Sequence, residues 1–274
     1  MKNEKNSVQE YAKMIANALG GIVVETTKTN GITLTGISSN ASGISPIFYV
    51  NNYFEDDVPI DLVVDECRNF FSNYAEASFD TDFLNNVKCF DNVKNLIAAR
   101  IVNRELNTNL RVKAPFRDVM GDLTVFYYIV LDRPESDSYR SILISNSMLS
   151  LWNITESELF ETAKDNAVLH AKLKRMSDIS PLFSEPAPFT ILTNDTCIYG
   201  AASILAVSEL KNLQGAENVL LIPSSVHEWL ILSNSDNAFG YDATSGLIQS
   251  VNSEALRPED FLSDHPYRLS DIDF

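Results

Sequence analysis

The chain has 274 residues, 45% of them hydrophobic and 10% aromatic, which is enough apolar surface for a buried core and excludes a disordered chain. Its 37 acidic side chains outnumber 21 basic ones, giving a formal net charge of -16, so its average field repels nucleic acid and anionic membrane surfaces. Three cysteines, Cys67, Cys89 and Cys197, are an odd number without metal spacing and fit a reducing compartment better than a disulfide framework.

The opening segment MKNEKNSVQEYAKM carries charge and no apolar stretch, so no secretory signal is expected. The longest mainly apolar run, Leu123 to Leu131, is too short to span a bilayer as a helix, and the expectation is a cytoplasmic protein with no membrane partner. Val8, Tyr11, Ala12, Ile15, Ala18 and Leu19 recur at helical spacing over Ser7 to Leu19, with Gly20 and Gly21 as a stop. IVVETTKTNGITLTGI then predicts two strands around Asn30 and Gly31, the dipeptide best suited to the positive φ angles of a tight hairpin. Ile44 to Tyr53 suggests a third strand. Helices are predicted over Val58 to Tyr74, where Val63, Cys67, Phe70, Phe71 and Tyr74 share a face, and over Val93 to Leu106, where Val93, Leu96, Ile97 and Ile101 line a stripe. Lys113 to Arg117, containing Pro115, reads as a boundary between an N-terminal α+β subdomain, residues 1–113, and a closely associated C-terminal one, residues 114–274.

Beyond that boundary, LTVFYYIVL and SILIS predict two strands with the polar connection DRPESDSYR. Thr155 and Glu158 stand at capping-box spacing ahead of Leu159, Phe160, Ala163 and Ala167, and His170 extends the stripe as a partly buried histidine bonded to backbone. The basic cluster Lys172, Lys174 and Arg175 is expected at the cationic end of a helix. Pro181 to Pro188 reads as a linker or extended loop. A strand at Phe189 to Leu192, a helix at about Tyr199 to Leu210, strands at Val219 to Ile222 and Trp229 to Leu232, and weaker elements around Tyr241 to Ser250 complete an α+β fold of mostly antiparallel sheets with packed helices.

In order, GITLTGI, SPIFYVNNYFEDD, DLTVFYYIVL, ILISNSMLSLWNITESELFETAKDNA, FTILTNDTCIYGAASIL, VLLIPSSVHEWLIL and the closing ALRPEDFLSDHPYRLS resemble the successive blocks of a bacterial domain family of unknown function. The likeness spans nearly the whole chain. It implies a cytoplasmic bacterial protein and carries no catalytic residue, cofactor or activity across.

The chemistry centres on PSSVHE, Pro223 to Glu228, for which three readings compete. It can be a short loop between strands, its serine hydroxyls bonding nearby backbone. It can serve a hydrolase in which Ser225 or Cys197 attacks and His227 takes the proton, oriented by Glu228 or Asp242. Adjacent strand residues point to opposite faces, which disfavours Glu228 as the orienting group, whereas Cys197 before a helix start, followed by His227 and Asp242, has the order of papain-like enzymes. As a metal site, His227 and Glu228 diverge, so no metal and no cofactor are expected. Trp152, Tyr127 and Tyr128 read as core, and the paired carboxylates as solvated faces. By subtraction, the expectation is a non-catalytic intracellular protein- or peptide-binding or regulatory module. Its surface would include Thr193, Asn194, Asp195, Ser224, Ser225, His227 and Glu228. A cysteine-dependent hydrolase using Cys197, His227 and Asp242 is the competing reading.

Overall fold

The computed structural model describes residues 7–39, 46–75, 85–131, 141–175, 189–207, 219–233 and 240–274. The chain divides into two units, Met1–Asn85 and Asn86–Phe274. The loop expected at Pro181 to Pro188 lies outside the described residues.

In the first unit, helix α1 (Val8–Leu19) starts where the Ser7 hydroxyl accepts a hydrogen bond from Glu10 N and ends at Gly20, whose φ is 68°. Its buried stripe of Tyr11, Ala12, Ile15 and Ala16 packs with α3 (Ile60–Ala75), which contributes Val63, Val64 and Cys67. Burial pushes the Cys67 thiol up to about 11. Strands β1 (Ile22–Thr27) and β2 (Thr33–Ser38) form the expected antiparallel hairpin, in register from Ile22 with Ser38 to Thr27 with Thr33. Asn30 and Gly31 take φ of 60° and 71° in its loop, which a β-branched residue would resist. The third strand is shorter than its sequence suggests. After β3 (Ile47–Tyr49) the chain turns into helix α2 (Asn51–Glu55), and the Asn51 side chain accepts from Thr35 N at 2.8 Å.

The second unit corrects one helix. After a short α4 (Phe90–Val93), residues expected to continue as helix form β4 (Ile97–Asn103). Ile97, Ala99 and Ile101 face inward to the core at strand period, and β-branched side chains favour that geometry. β4 pairs along its whole length with β6 (Leu123–Val130), and β5 (Phe116–Asp118) and β7 (Ser141–Leu143) share the other edge of β6. The segment around Lys113, expected as a boundary, lies in the connection between β4 and β5, strands of one sheet, and the units part between Asn85 and Asn86.

Helix α5 (Asn146–Trp152) precedes α6 (Glu156–His170), whose Thr155 and Glu158 form the reciprocal capping box. The helix stops at His170, and Lys172, Lys174 and Arg175 lie not in a helical end but in strand β8 (Ala171–Arg175), where pairing with β9 (Phe189–Asn194) outweighs any dipole contact. The second sheet runs β12-β10-β11-β9-β8, with β10 (Val219–Ser225), β11 (Glu228–Ser233) and β12 (Tyr267–Arg268). Gly200–Ala206 is a 3-10 helix, and Tyr241–Glu254 forms α7. Side chains from both sheets, α6 and the 3-10 segment share one core that includes Tyr127, Phe160, Leu205 and Trp229. Trp152 joins it and donates its indole N–H to Val87 O at 2.8 Å. The molecule is thus an α+β protein with antiparallel sheets. Among the described residues no helix is long and apolar enough to cross a membrane.

Candidate functional site

The second sheet and the 3-10 helix are joined by Asn194-Asp195-Thr196-Cys197-Ile198-Tyr199-Gly200, a turn that side chains fix from within. The Asn194 carbonyl oxygen Oδ1 accepts from Thr196 N at 3.1 Å and its Nδ2 donates to Ile198 O at 2.9 Å. The Thr196 hydroxyl accepts from Ile198 N at 3.1 Å. These local bonds hold Cys197 and Tyr199 at φ of 57° and 51°, a region that non-glycine residues occupy only when their surroundings impose it. A Cβ at Gly200 would collide with Thr193 Oγ1 and lie 2.5 Å from His227 O and 2.8 Å from Asn194 N, so this position admits only glycine. Buried Thr193 donates its hydroxyl to His227 O at 2.8 Å, and Ser203 donates to Thr193 O at 2.7 Å, locking the turn to the β10–β11 corner.

That corner contains PSSVHE and has the hairpin geometry. Pro223 pairs opposite Trp229 and Ser225 opposite Glu228, with a bulge between. β12 pairs only with Leu220 and Leu221, so on that side Pro223 has no ladder partner to deprive of an N–H. Ser225 is buried and accepts from His227 N at 3.0 Å, while the Ser224 hydroxyl donates to Glu228 at 3.1 Å.

Both nitrogens of His227 are engaged. Nδ1 accepts from Tyr199 N at 3.0 Å, and Nε2 lies 3.1 Å from Asp260 Oδ1. The Cys197 sulfur instead meets Lys174 Nζ at 2.9 Å. Asp242 sits exposed in the first turn of α7, and the carboxylate beside His227 is Asp260. The structure thus brings His227 to the Cys197 turn but assembles no thiol, imidazole and Asp242 chain. Tyr199 also closes over Arg100, whose guanidinium lies 3.6 Å from its ring centroid and 3.7 Å from that of Tyr128.

On the other side of the turn is a pocket of about 270 Å3. Its walls are mainly apolar, with Leu96, Ile97, Val130, Ala167, Ile198 and Ala202, and they also include Asn194, Asp195 and His170. His170 Nδ1 is 2.7 Å from Asp195 Oδ2, and Lys172 Nζ is 3.1 Å from Asp195 Oδ1. Burial of Asp195 favours its protonated form, but the hydrogen bonds from His170 and Lys172 outweigh that and hold its carboxyl below the usual aspartate range. An ionised Asp195 can only accept, so His170 donates from Nδ1. Among the described residues His170 Nε2 is buried without a hydrogen-bond partner, a condition that costs about 1–3 kcal/mol.

Sequence reasoning placed His170 on the helix stripe but expected a backbone partner. Asp195, 25 residues away, reaches it only because β8 pairs with β9 in the register Ala171 with Asn194. A second polar cluster gave no signal in the sequence. Asp122 accepts from Tyr267 Oη, from Ser263 Oγ at 3.1 Å and from Asn103 Nδ2 at 2.9 Å, with His265 Nε2 at 3.4 Å. Burial, then Asp122, pushes the Tyr267 phenol well above its ordinary range, so it stays a donor. Ser263 gives its proton to the carboxylate rather than to the imidazole and is fully buried, which makes this cluster a tie between β6 and the C-terminal segment. Among the described residues no group of three or more histidine, cysteine, aspartate or glutamate side chains could hold a metal ion.

A family of unknown function, DUF5688, matches residues 5–270. The chain belongs to that family. No curated protein and no solved structure matches it. Membership covers both units and assigns no activity to either, so the family leaves the chemistry to be argued from the site itself.

Proposed function

We propose that the second unit is a non-catalytic intracellular binding module whose pocket receives an apolar side chain from a peptide or protein partner. The observation that carries this reading is the apolar pocket of about 270 Å3 beside the 194–200 turn. Pockets for drug-sized ligands run from roughly 300 to 1,000 Å3, so this one suits a single side chain better than a nucleotide or a large cofactor. It shares Asn194 and Asp195 with the surface expected from sequence, while Ser224, Ser225, His227 and Glu228 do not line it. The engagement of both His227 nitrogens, neither with the Cys197 sulfur, supports binding over thiol hydrolysis.

The test is selection of peptides from a random displayed library on the full chain, followed by the pocket-filling variant Ala167→Phe, with circular dichroism to confirm its fold. Enriched peptides should lose about tenfold or more in affinity to the variant. Failure to enrich any sequence, or affinity indifferent to filling the pocket, would overturn the reading.

A further inference from the structure

Two nucleophilic side chains of the second unit stand against each other at the edge of its second sheet. Lys174 lies on β8, where it pairs with Ile191 of β9, and its Nζ is 2.9 Å from the Cys197 sulfur. The sulfur arrives from another element, the turn whose Asn194 and Thr196 bonds keep Cys197 at φ of 57°. Sheet register on one side and turn geometry on the other therefore hold amine and thiol together, with no rearrangement left to make. The three cysteines also differ in exposure: Cys67 is buried, Cys89 exposed and Cys197 partly exposed. Exposure governs whether a small oxidant reaches a thiol. An amine already at bonding distance governs what the oxidised sulfur does next.

Hydrogen peroxide converts a thiol to a sulfenic acid and water, the sulfur giving up two electrons and the O–O bond taking them. A sulfenic sulfur is an electrophile that a neighbouring thiol or nitrogen captures. At Cys197 the nitrogen in place is Lys174 Nζ, and its 2.9 Å separation is no longer than the roughly 3–3.5 Å of a near-attack geometry. Once the lysine ammonium has released a proton to solvent, its lone pair attacks sulfur, the S–O bond breaks, and the oxygen leaves as water with a proton from the nitrogen. Thiol, amine and peroxide thus become one S–N bond and two waters, and two equivalents of an added thiol reverse the bond. We propose that Cys197 and Lys174 form a peroxide-driven modification site that closes into an S–N bridge between β8 and the turn that lines the pocket.

The experiment treats the unmodified full chain with hydrogen peroxide and maps its peptides by mass spectrometry without reductant, so the central measurement needs no variant that has to fold. A cross-linked pair carrying Cys197 and Lys174, lighter than the two free peptides by two hydrogens, is expected, and dithiothreitol should return both peptides to their original masses. In Lys174→Gln the bridge should be lost and dimedone should trap a sulfenic acid on Cys197 instead. Cys89 serves as the internal control for an active oxidant. Oxidation of Cys89 with Cys197 left as a free thiol would overturn the proposal. So would a Cys197 sulfenic acid that persists in the unmodified chain beside an unaltered Lys174. Neither result touches the binding reading, which stands or falls with the library peptides.

Discussion

His170 and His227 meet the same stretch of chain at its two ends, and they differ in what is left over. His227 has Tyr199 N on one nitrogen and Asp260 on the other. His170 has Asp195 on one and, among the described residues, no partner on the other. A histidine with both nitrogens satisfied acts as a brace: it fixes two backbone segments and has no capacity for a third partner. One with a single buried nitrogen unsatisfied bears a standing cost of about 1–3 kcal/mol. The second nitrogen, more than burial or neighbouring charge, separates the two imidazoles.

Breaking the turn that both histidines contact should have the largest effect. Gly200→Ala forces a Cβ against Thr193 Oγ1 and to within 2.5 Å of His227 O, neither of which can withdraw without opening the corner. A loss of roughly 3 kcal/mol is expected, measured as a lower denaturant midpoint. The contrast itself is tested next by removing each imidazole in turn. His227→Phe strips the Tyr199 N–H of its acceptor and should cost about 2 kcal/mol. His170→Phe gives up one bond to an aspartate that keeps Lys172, and it also deletes an unsatisfied nitrogen, so its cost should stay below about 1 kcal/mol. Equal costs would mean that the two rings are braces alike.

Much of this was legible from local pattern. The Asn30-Gly31 hairpin, the Thr155 capping box and the PSSVHE corner each rest on neighbours in sequence, and each appears where its residues imply. β4 was misread because Val93, Leu96, Ile97 and Ile101 satisfy a helical period by coincidence, while the strand period of Ile97, Ala99 and Ile101 is equally present and wins once β6 supplies its ladder. β8 was missed because Ala171-Lys172-Leu173-Lys174-Arg175 is too polar to look like a strand, yet a sheet edge tolerates and even favours lysine. The pairs that define the site, His170 with Asp195 and His227 with Asp260, are separated by 25 and 33 residues. Register and loop closure decide them, and no local motif records either.

The smallest expected effect tests the protonation state on which the contrast depends. Because His170 and Lys172 lower the Asp195 pKa in the folded chain, the carboxylate contributes stability that is complete above the unfolded aspartate value of about 3.9 and is lost as pH falls through the lower folded value. Asp195→Asn should therefore be less stable than the unmodified chain near neutrality, by a modest amount because the side chain is 43% exposed. That deficit should close as urea midpoints are followed into acid, below about pH 4. A deficit that stays constant or widens in acid would mean that Asp195 is not the ionised acceptor of the Nδ1 proton. The Nδ1 bond of His170 would then lack its charged partner, and the comparison with His227 would rest on the unpartnered second nitrogen alone.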